Sequence, residues 1–93
     1  EAKARLGDEP VLDDRSKIAC DTITAGLKSE VGKLGLDFDA ISEMTADLKT
    51  IDAQLNSPKP KRAIVRECFL SIRSVLQKAG AREPVDRIEG FIG

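Results

Sequence analysis

Apolar residues recur at helical spacing in two neighbouring stretches of the chain, and a short polar break that contains two prolines separates them. The first stretch covers residues 41–55 and the second covers residues 65–79, with the break at 56–60. When the second stretch is folded back on the first, each apolar layer of one meets an apolar layer of the other. The pattern therefore predicts a helical hairpin.

A further apolar stripe precedes this hairpin and predicts another helix. Between residues 20 and 34 its apolar positions are three or four residues apart, as on one face of a helix. Asp13 or Asp14 can cap the start of this helix. Gly35 can provide a left-handed stop after it, and Asp37 can then cap the next helix. A tight turn is expected to join the two.

Together the patterns predict an all-α fold, a three-helix antiparallel bundle with a short C-terminal fourth helix. Residues 1–12 carry a glycine and a proline among scattered apolar positions, so we expect a flexible tail or the end of a preceding segment there. The chain also begins at Glu1 without Met, which suggests a piece of a longer protein. Residues 13–93 then form the single helical domain, with helices expected near residues 14–34, 37–56, 61–79 and 84–90.

The composition suits one small domain with an aliphatic core. A chain of 93 residues is too short for two independent cores. Hydrophobic residues make up 41%, but there are only three Phe and no Trp or Tyr, so few aromatic side chains are available for a binding face. The net charge of -1 hides an asymmetry, because residues 1–57 carry 7 basic and 12 acidic side chains and residues 58–93 carry 8 and 4. Two halves of opposite sign would partly neutralise each other in the fold.

The cysteines and the lengths of the apolar runs indicate in which cellular compartment the protein resides. Cys20 and Cys68 both lie on predicted apolar stripes, where a free thiol acts as a small hydrophobic side chain. A disulfide between them is an alternative and would require Cα atoms within about 7 Å of each other. No run approaches the roughly 20 apolar residues of a membrane span, and the sequence shows no signal peptide. We therefore predict a cytoplasmic protein without membrane contact.

The residue types argue against catalysis. The chain has no His, which removes the usual general base and the commonest metal ligand. Glu43 and Asp47 are four residues apart on one helical face, but they lie beside the apolar stripe, where solvent screens carboxylates from each other. We predict no catalytic residue, no metal site and no cofactor, and nothing in the sequence indicates a small-molecule substrate.

The third predicted helix has an apolar face wider than contact with a single helix requires. Such a face can touch two neighbours at once, which are helix 2 and either helix 1 or another subunit. The C-terminal apolar segment must also pack somewhere. The favoured function is therefore protein association, as a homo-oligomer or with a helical partner protein, through Phe69, Leu76, Ile88 and Phe91.

A cluster of basic residues at the break gives an alternative function, the binding of an anion or a nucleic acid. Cations at a helix N-terminus oppose the helix dipole, and a bound anion would relieve this cost. Against this alternative, no aromatic residue lies among the cations to stack on bases, and the pI of about 5.4 is low for a nucleic-acid binder. Arg66 and Arg73 could also pair with acidic residues of helix 2. The candidate anion-binding residues are Lys59, Lys61, Arg62 and Arg66.

One stretch around the break has a specific linear pattern. It runs from Thr50 to Arg62 and continues through Ile64, Arg66-Glu67 and Ser71-Ile72-Arg73-Ser74-Val75-Leu76. Its most specific part is Gln54-Leu55 followed by Ser57-Pro58-Lys59-Pro60-Lys61. This stretch, less than a third of the chain, resembles a helical hairpin module that recurs near the C-termini of assorted uncharacterised bacterial proteins. The resemblance implies a portable C-terminal helical module in a bacterial protein. It implies no activity and no catalytic residue.

Overall fold

The computed structural model describes residues 5–93, and most of that range is helical. Four α-helices follow one another along these residues, and a single turn of 3-10 helix, Val31–Lys33, extends the first. The helices are α1 (Asp14–Glu30), α2 (Phe38–Leu55), α3 (Arg62–Lys78) and α4 (Arg82–Ile92). The prediction of an all-α fold is confirmed, and each predicted helix overlaps one of these four.

Side chains and a glycine fix the boundaries of the first two helices, as the sequence predicts. The Asp13 carboxylate accepts a hydrogen bond of 2.8 Å from the backbone N–H of Ser16, and this bond lowers the pKa of Asp13. Asp37 accepts one from the Ala40 N–H, also at 2.8 Å. Gly35 has a φ of 69°, in the left-handed region that other residues rarely adopt. The two carboxylates satisfy N–H groups that a helix leaves unpaired at its start.

The core lies on both sides of α3. This helix packs most extensively against α2 and next against α4, while α1 contacts α2 and α4. α2 and α3 run in opposite directions, because residues 56–61 join them at one end, while the start of α2 and the last turn of α3 line one concavity at the other. The large, fully buried side chains are Leu27, Met44, Ile51, Val65, Phe69, Ile72, Leu76 and Ile88.

α4 is longer than the predicted fourth helix, and it packs where a different element was expected. It has 11 residues and packs against the side of α3 that α2 leaves free, where helix 1 or a second subunit was expected. Pro84 lies in its first turn, where the missing N–H costs no helical hydrogen bond. Val85, Ile88 and Phe91 are three residues apart along the helix, and all three face the core. The chain thus covers its own apolar face.

The segment before α1 packs against the helices. Leu6 and Leu12 are only 3% and 5% exposed and belong to the core. Their backbone N–H groups donate hydrogen bonds of 2.9 Å, to α4 and to the turn before α3 respectively. Residues 5–12, which were expected to be a flexible tail or the end of a preceding segment, are therefore packed against the helices, and we call them the N-terminal strap. The rest of the expected tail, residues 1–4, lies outside the described residues.

Candidate functional site

The four residues predicted to bind a partner lie inside the protein. Phe69, Leu76 and Ile88 have no exposed surface, and Phe91 is 3% exposed. The rings of Phe69 and Phe91 meet edge to face, with centroids 5.5 Å apart. A side chain without exposed surface cannot contact a partner. In the folded chain α4 covers the wide face of α3, so the four residues that were predicted to bind a partner belong to the core.

The four predicted anion-binding residues lie at the start of α3. Lys59 and Lys61 are exposed, while Arg62 and Arg66 are half-buried. None of the four forms a salt bridge with another residue in the range 5–93. Within that range their charges are therefore available to an external acidic group.

The acidic residues of α2 do not neutralise this cluster, although such pairing was one of the expectations. Asp52 of α2 pairs with Lys28 of α1, at 2.5 Å between the carboxylate and Nζ. Arg73, the other arginine expected to pair with α2, lies 3.7 Å from the carboxylate of Glu89 in α4. A third ion pair joins Arg87 of α4 to Glu30 of α1, so the ion pairs of the described residues connect α1 with α2, α3 with α4 and α4 with α1.

Three cations of the cluster surround a cleft between the N-terminal strap and the turn before α3. The cleft has a volume of about 650 Å³, compared with about 380 Å³ for the concavity at the other end of α2. Lys59, Lys61 and Arg62 contribute positive charge, and Asp8 is the acidic residue of the lining. The remaining lining residues are small or apolar, namely Pro10, Val11, Ser57, Pro58 and Ala63. We call this site the basic cleft.

A short pairing of backbone segments shapes the basic cleft. Val11 of the strap and Lys61 of the turn face each other in an antiparallel bridge, flanked by two backbone hydrogen bonds of 2.9 Å. Residues that face each other in such a bridge place their side chains on the same side. Their neighbours Leu12 and Pro60 point into the core, whereas Val11 is 38% exposed. The bridge therefore presents one apolar and one charged side chain together to solvent.

The start of α3 adds to the positive charge of the cleft. Lys61 occupies the cap position of α3 and makes no side-chain cap, in contrast to Asp13 and Asp37 at the first two helices. The backbone N–H of Lys61 donates instead to the Gln54 Oε1 atom, at 2.9 Å. The helix dipole places partial positive charge at this end of α3, next to the lysine charges. The cleft therefore favours acidic groups.

A second surface feature, which the sequence analysis missed, lies at the opposite end of α2. Phe38 is 81% exposed, more than any other large hydrophobic residue in the described range. The exposed residues Asp37 and Asp39 flank it. The sequence held a signal for this feature, because Phe38 lies outside the apolar stripe of residues 41–55 and between two carboxylates.

The two thiols are buried, free and difficult to ionise. Burial raises the pKa of Cys20 from an ordinary 9.0 to about 12, and it also raises the pKa of Cys68. A thiol that stays protonated is a poor nucleophile and a poor metal ligand. Within residues 5–93, no three His, Cys, Asp or Glu side chains are grouped so that they could hold a metal ion. No helix in the same range is long and apolar enough to cross a membrane.

Comparison with known proteins leaves the function to be argued from geometry. No protein-family model, curated protein or solved structure matches this chain. The resemblance of residues 50–76 to a bacterial helical hairpin module therefore stays a prediction.

Proposed function

We propose that this chain is a non-catalytic protein-association module, and that its basic cleft binds an acidic, partly apolar segment of a partner protein. One observation carries the proposal. The cleft combines cations that have no ionic partner in residues 5–93 with an apolar floor, which is formed by Pro10, Val11, Pro58 and Ala63. A purely apolar segment would leave these cations without a counter-charge. A purely anionic ligand would leave the apolar floor in water. A segment with both properties satisfies both parts of the cleft.

The apolar floor supplies most of the affinity in this proposal. Val11 lies partly exposed beside Pro10 and Pro58. A large apolar side chain of a partner gains about 1.5–3 kcal/mol when it is fully buried. The ring of each proline fixes its backbone φ angle, so the floor loses little conformational freedom when a partner binds.

The cations supply specificity and faster association. Lys59 and Lys61 are exposed, so each ion pair that they form contributes less than about 1 kcal/mol. Their combined field attracts acidic segments and repels basic ones. Salt screens such exposed charges, so binding should weaken as the ionic strength rises.

The rest of the fold serves as a scaffold in this proposal. We interpret α1, α2 and α3 as a three-helix antiparallel bundle to which α4 is added, and the N-terminal strap as the fixed wall of the cleft. The backbone hydrogen bonds and the buried Leu6 and Leu12 support that interpretation of the strap. The free, buried cysteines are consistent with a reducing compartment such as the cytoplasm.

A nucleic acid is the second candidate ligand. The observation in its favour is that the cations gather at the start of α3, which has no side-chain cap. However, no aromatic residue lines the cleft to stack on a base. An acidic protein segment fits the apolar floor better.

Selection from a random peptide library tests the proposed function. Selection against the wild-type chain should enrich peptides with acidic residues on either side of an apolar one. The variant Lys59→Glu/Lys61→Glu should bind the selected peptides at least about tenfold more weakly, because reversed charges at the rim repel the acidic residues. Fluorescence polarisation with labelled peptides measures the Kd of each variant.

The variant Lys49→Glu/Arg82→Glu is a matched control, since it makes the same charge change at two exposed positions outside the cleft. An equal loss of affinity in both variants would contradict the proposal, because net charge would then explain the effect. Enrichment of apolar peptides without acidic residues would contradict it as well. Salt-dependent binding of a DNA oligonucleotide that only the cleft variant loses would favour the second candidate.

A further inference from the structure

We infer that the segment bound by the basic cleft belongs to a second copy of this chain, namely residues 37–39 at the start of α2. We call Asp37, Phe38 and Asp39 the acidic knob. The inference rests on the proposed function, because it uses the same cleft and identifies the occupant. It accounts for the exposed aromatic side chain, which the fold of a single copy leaves in water.

The acidic knob has the composition that the cleft requires. Phe38 offers an exposed aromatic ring, and exposed aromatic residues are frequent anchors of protein interfaces. Asp37 accepts its cap hydrogen bond through Oδ1, and Asp39 is exposed, so carboxylate oxygens on both sides of the ring can face cations. Glu43 and Lys78 line the same concavity as Asp37 and Asp39, so three carboxylates outnumber one cation at this end of α2.

The knob and the cleft lie at opposite ends of α2, so one molecule cannot insert its own knob into its own cleft. α2 has 18 residues, and at about 1.5 Å per residue its two ends are about 27 Å apart. The contact therefore joins different patches on two copies, which makes it a heterologous interface. The pair of copies keeps one free knob and one free cleft, so association continues head to tail unless the rotation closes a ring.

The contact should be weak and sensitive to salt. One aromatic side chain and its flanking residues bury far less than the roughly 1,200 Å² of a stable protein interface. The charges involved are exposed, so salt screens their attraction. Self-association is therefore expected at high protein concentration and low ionic strength.

The inference is tested with two variants, each of which loses one half of the contact. Phe38→Ser removes the apolar group of the knob and keeps the cleft, while Lys59→Glu/Lys61→Glu reverses the cleft and keeps the knob. In sedimentation velocity at rising concentration, the wild-type chain should form species larger than a dimer. Each variant alone should self-associate at least about tenfold more weakly. An equimolar mixture of the two should form a 1:1 complex that grows no further.

Ile18→Ser is the matched control for Phe38→Ser. Ile18 is 69% exposed on α1 and belongs to neither the knob nor the cleft, so its replacement should leave self-association unchanged. Circular dichroism verifies that all variants are folded. A wild-type chain that stays monomeric at its highest soluble concentration and low salt would overturn the inference. A mixture of the two half-contact variants that forms no 1:1 complex would also overturn it.

The peptide selection separates failure of this inference from failure of the proposed function. If the wild-type chain stays monomeric while the cleft still selects acidic peptides, only the identity of the occupant is wrong. If the cleft selects no acidic peptide and the mixture forms no complex, the proposed function is wrong together with the inference.

Discussion

Phenylalanine occurs in two opposite environments in this protein. Phe69 and Phe91 meet inside the seam between α3 and α4, where almost no surface of either is exposed. Phe38 lies at the start of α2 with most of its ring in solvent and a carboxylate on each side. The residue type is the same, so the difference arises from what the rest of the chain covers.

This comparison shows that apolar character alone does not identify a binding surface. The wide apolar face of α3 suggested an interface, but α4 of the same chain covers it. No element within residues 5–93 covers Phe38, and at the far end of α2 none forms a salt bridge with the cations of the basic cleft. A binding surface is therefore expected where an exposed apolar residue and unpaired charge occur together.

The largest expected effect on stability distinguishes a buried phenylalanine from the exposed one. Phe69→Ala leaves a cavity in the α3–α4 seam and should lower the free energy of unfolding by about 3–5 kcal/mol. Phe38→Ala removes an exposed ring and should change it by less than about 0.5 kcal/mol. Urea denaturation measures both. Similar effects of the two variants would show that the comparison is wrong.

The N-terminal strap contains a second pair of contrasting neighbours. Leu12 faces the core and Val11 faces the cleft. Leu12→Ala should lower the free energy of unfolding by about 2 kcal/mol, since the strap lies at the edge of the core and can partly relax. Val11→Ala should have less effect on stability, but it should weaken peptide binding to the cleft. A neutral Leu12→Ala variant would mean that the strap does not stabilise the fold.

Short-range features of this fold could be predicted from the sequence. Asp13, Asp37 and Gly35 act on atoms within one helical turn, so their residue types were enough to predict where helices begin and end. The positively charged side of the cleft could also be predicted, because Lys59, Lys61 and Arg62 are neighbours along the chain.

Long-range features could not be predicted in the same way. Periodicity identified the apolar face of α3 without showing which element covers it, since several arrangements would bury the same stripe. The strap gave no helical pattern, because an extended segment is anchored here by only two buried leucines, Leu6 and Leu12. The part of the apolar floor that Pro10 and Val11 form was therefore not predicted, because these residues are distant in sequence from the lysines.

Alkaline pH should destabilise the fold through its buried thiols. Below pH 9.0 the Cys20 thiol is protonated in both the folded and the unfolded chain. Between pH 9.0 and about 12 the unfolded chain loses this proton more readily, so the free energy of unfolding falls as the pH rises. Thermal unfolding across this range should show a smaller decrease for Cys20→Ala than for the wild type. Equal decreases would contradict a buried, protonated thiol.

The smallest effect should come from exposed charges that are already paired. The side chains of Lys28 and Asp52 are 47% and 37% exposed, and their ion pair should contribute less than about 1 kcal/mol. A double-mutant cycle with Lys28→Ala and Asp52→Ala measures this coupling free energy. A much larger coupling free energy would show that this exposed ion pair stabilises the fold, which would contradict the view that surface charge acts mainly in binding to partners.

The most direct test of the account is to map which residues sense other copies of the chain. Amide chemical shifts of the wild-type protein would be recorded by NMR at rising concentration and low salt. We predict that the shifts change at residues 37–40, 8–11 and 57–63, and that the α3–α4 seam stays constant. Changes concentrated at Phe69, Leu76, Ile88 and Phe91 would contradict the account, because they would mean that α4 opens and the seam itself is the interface.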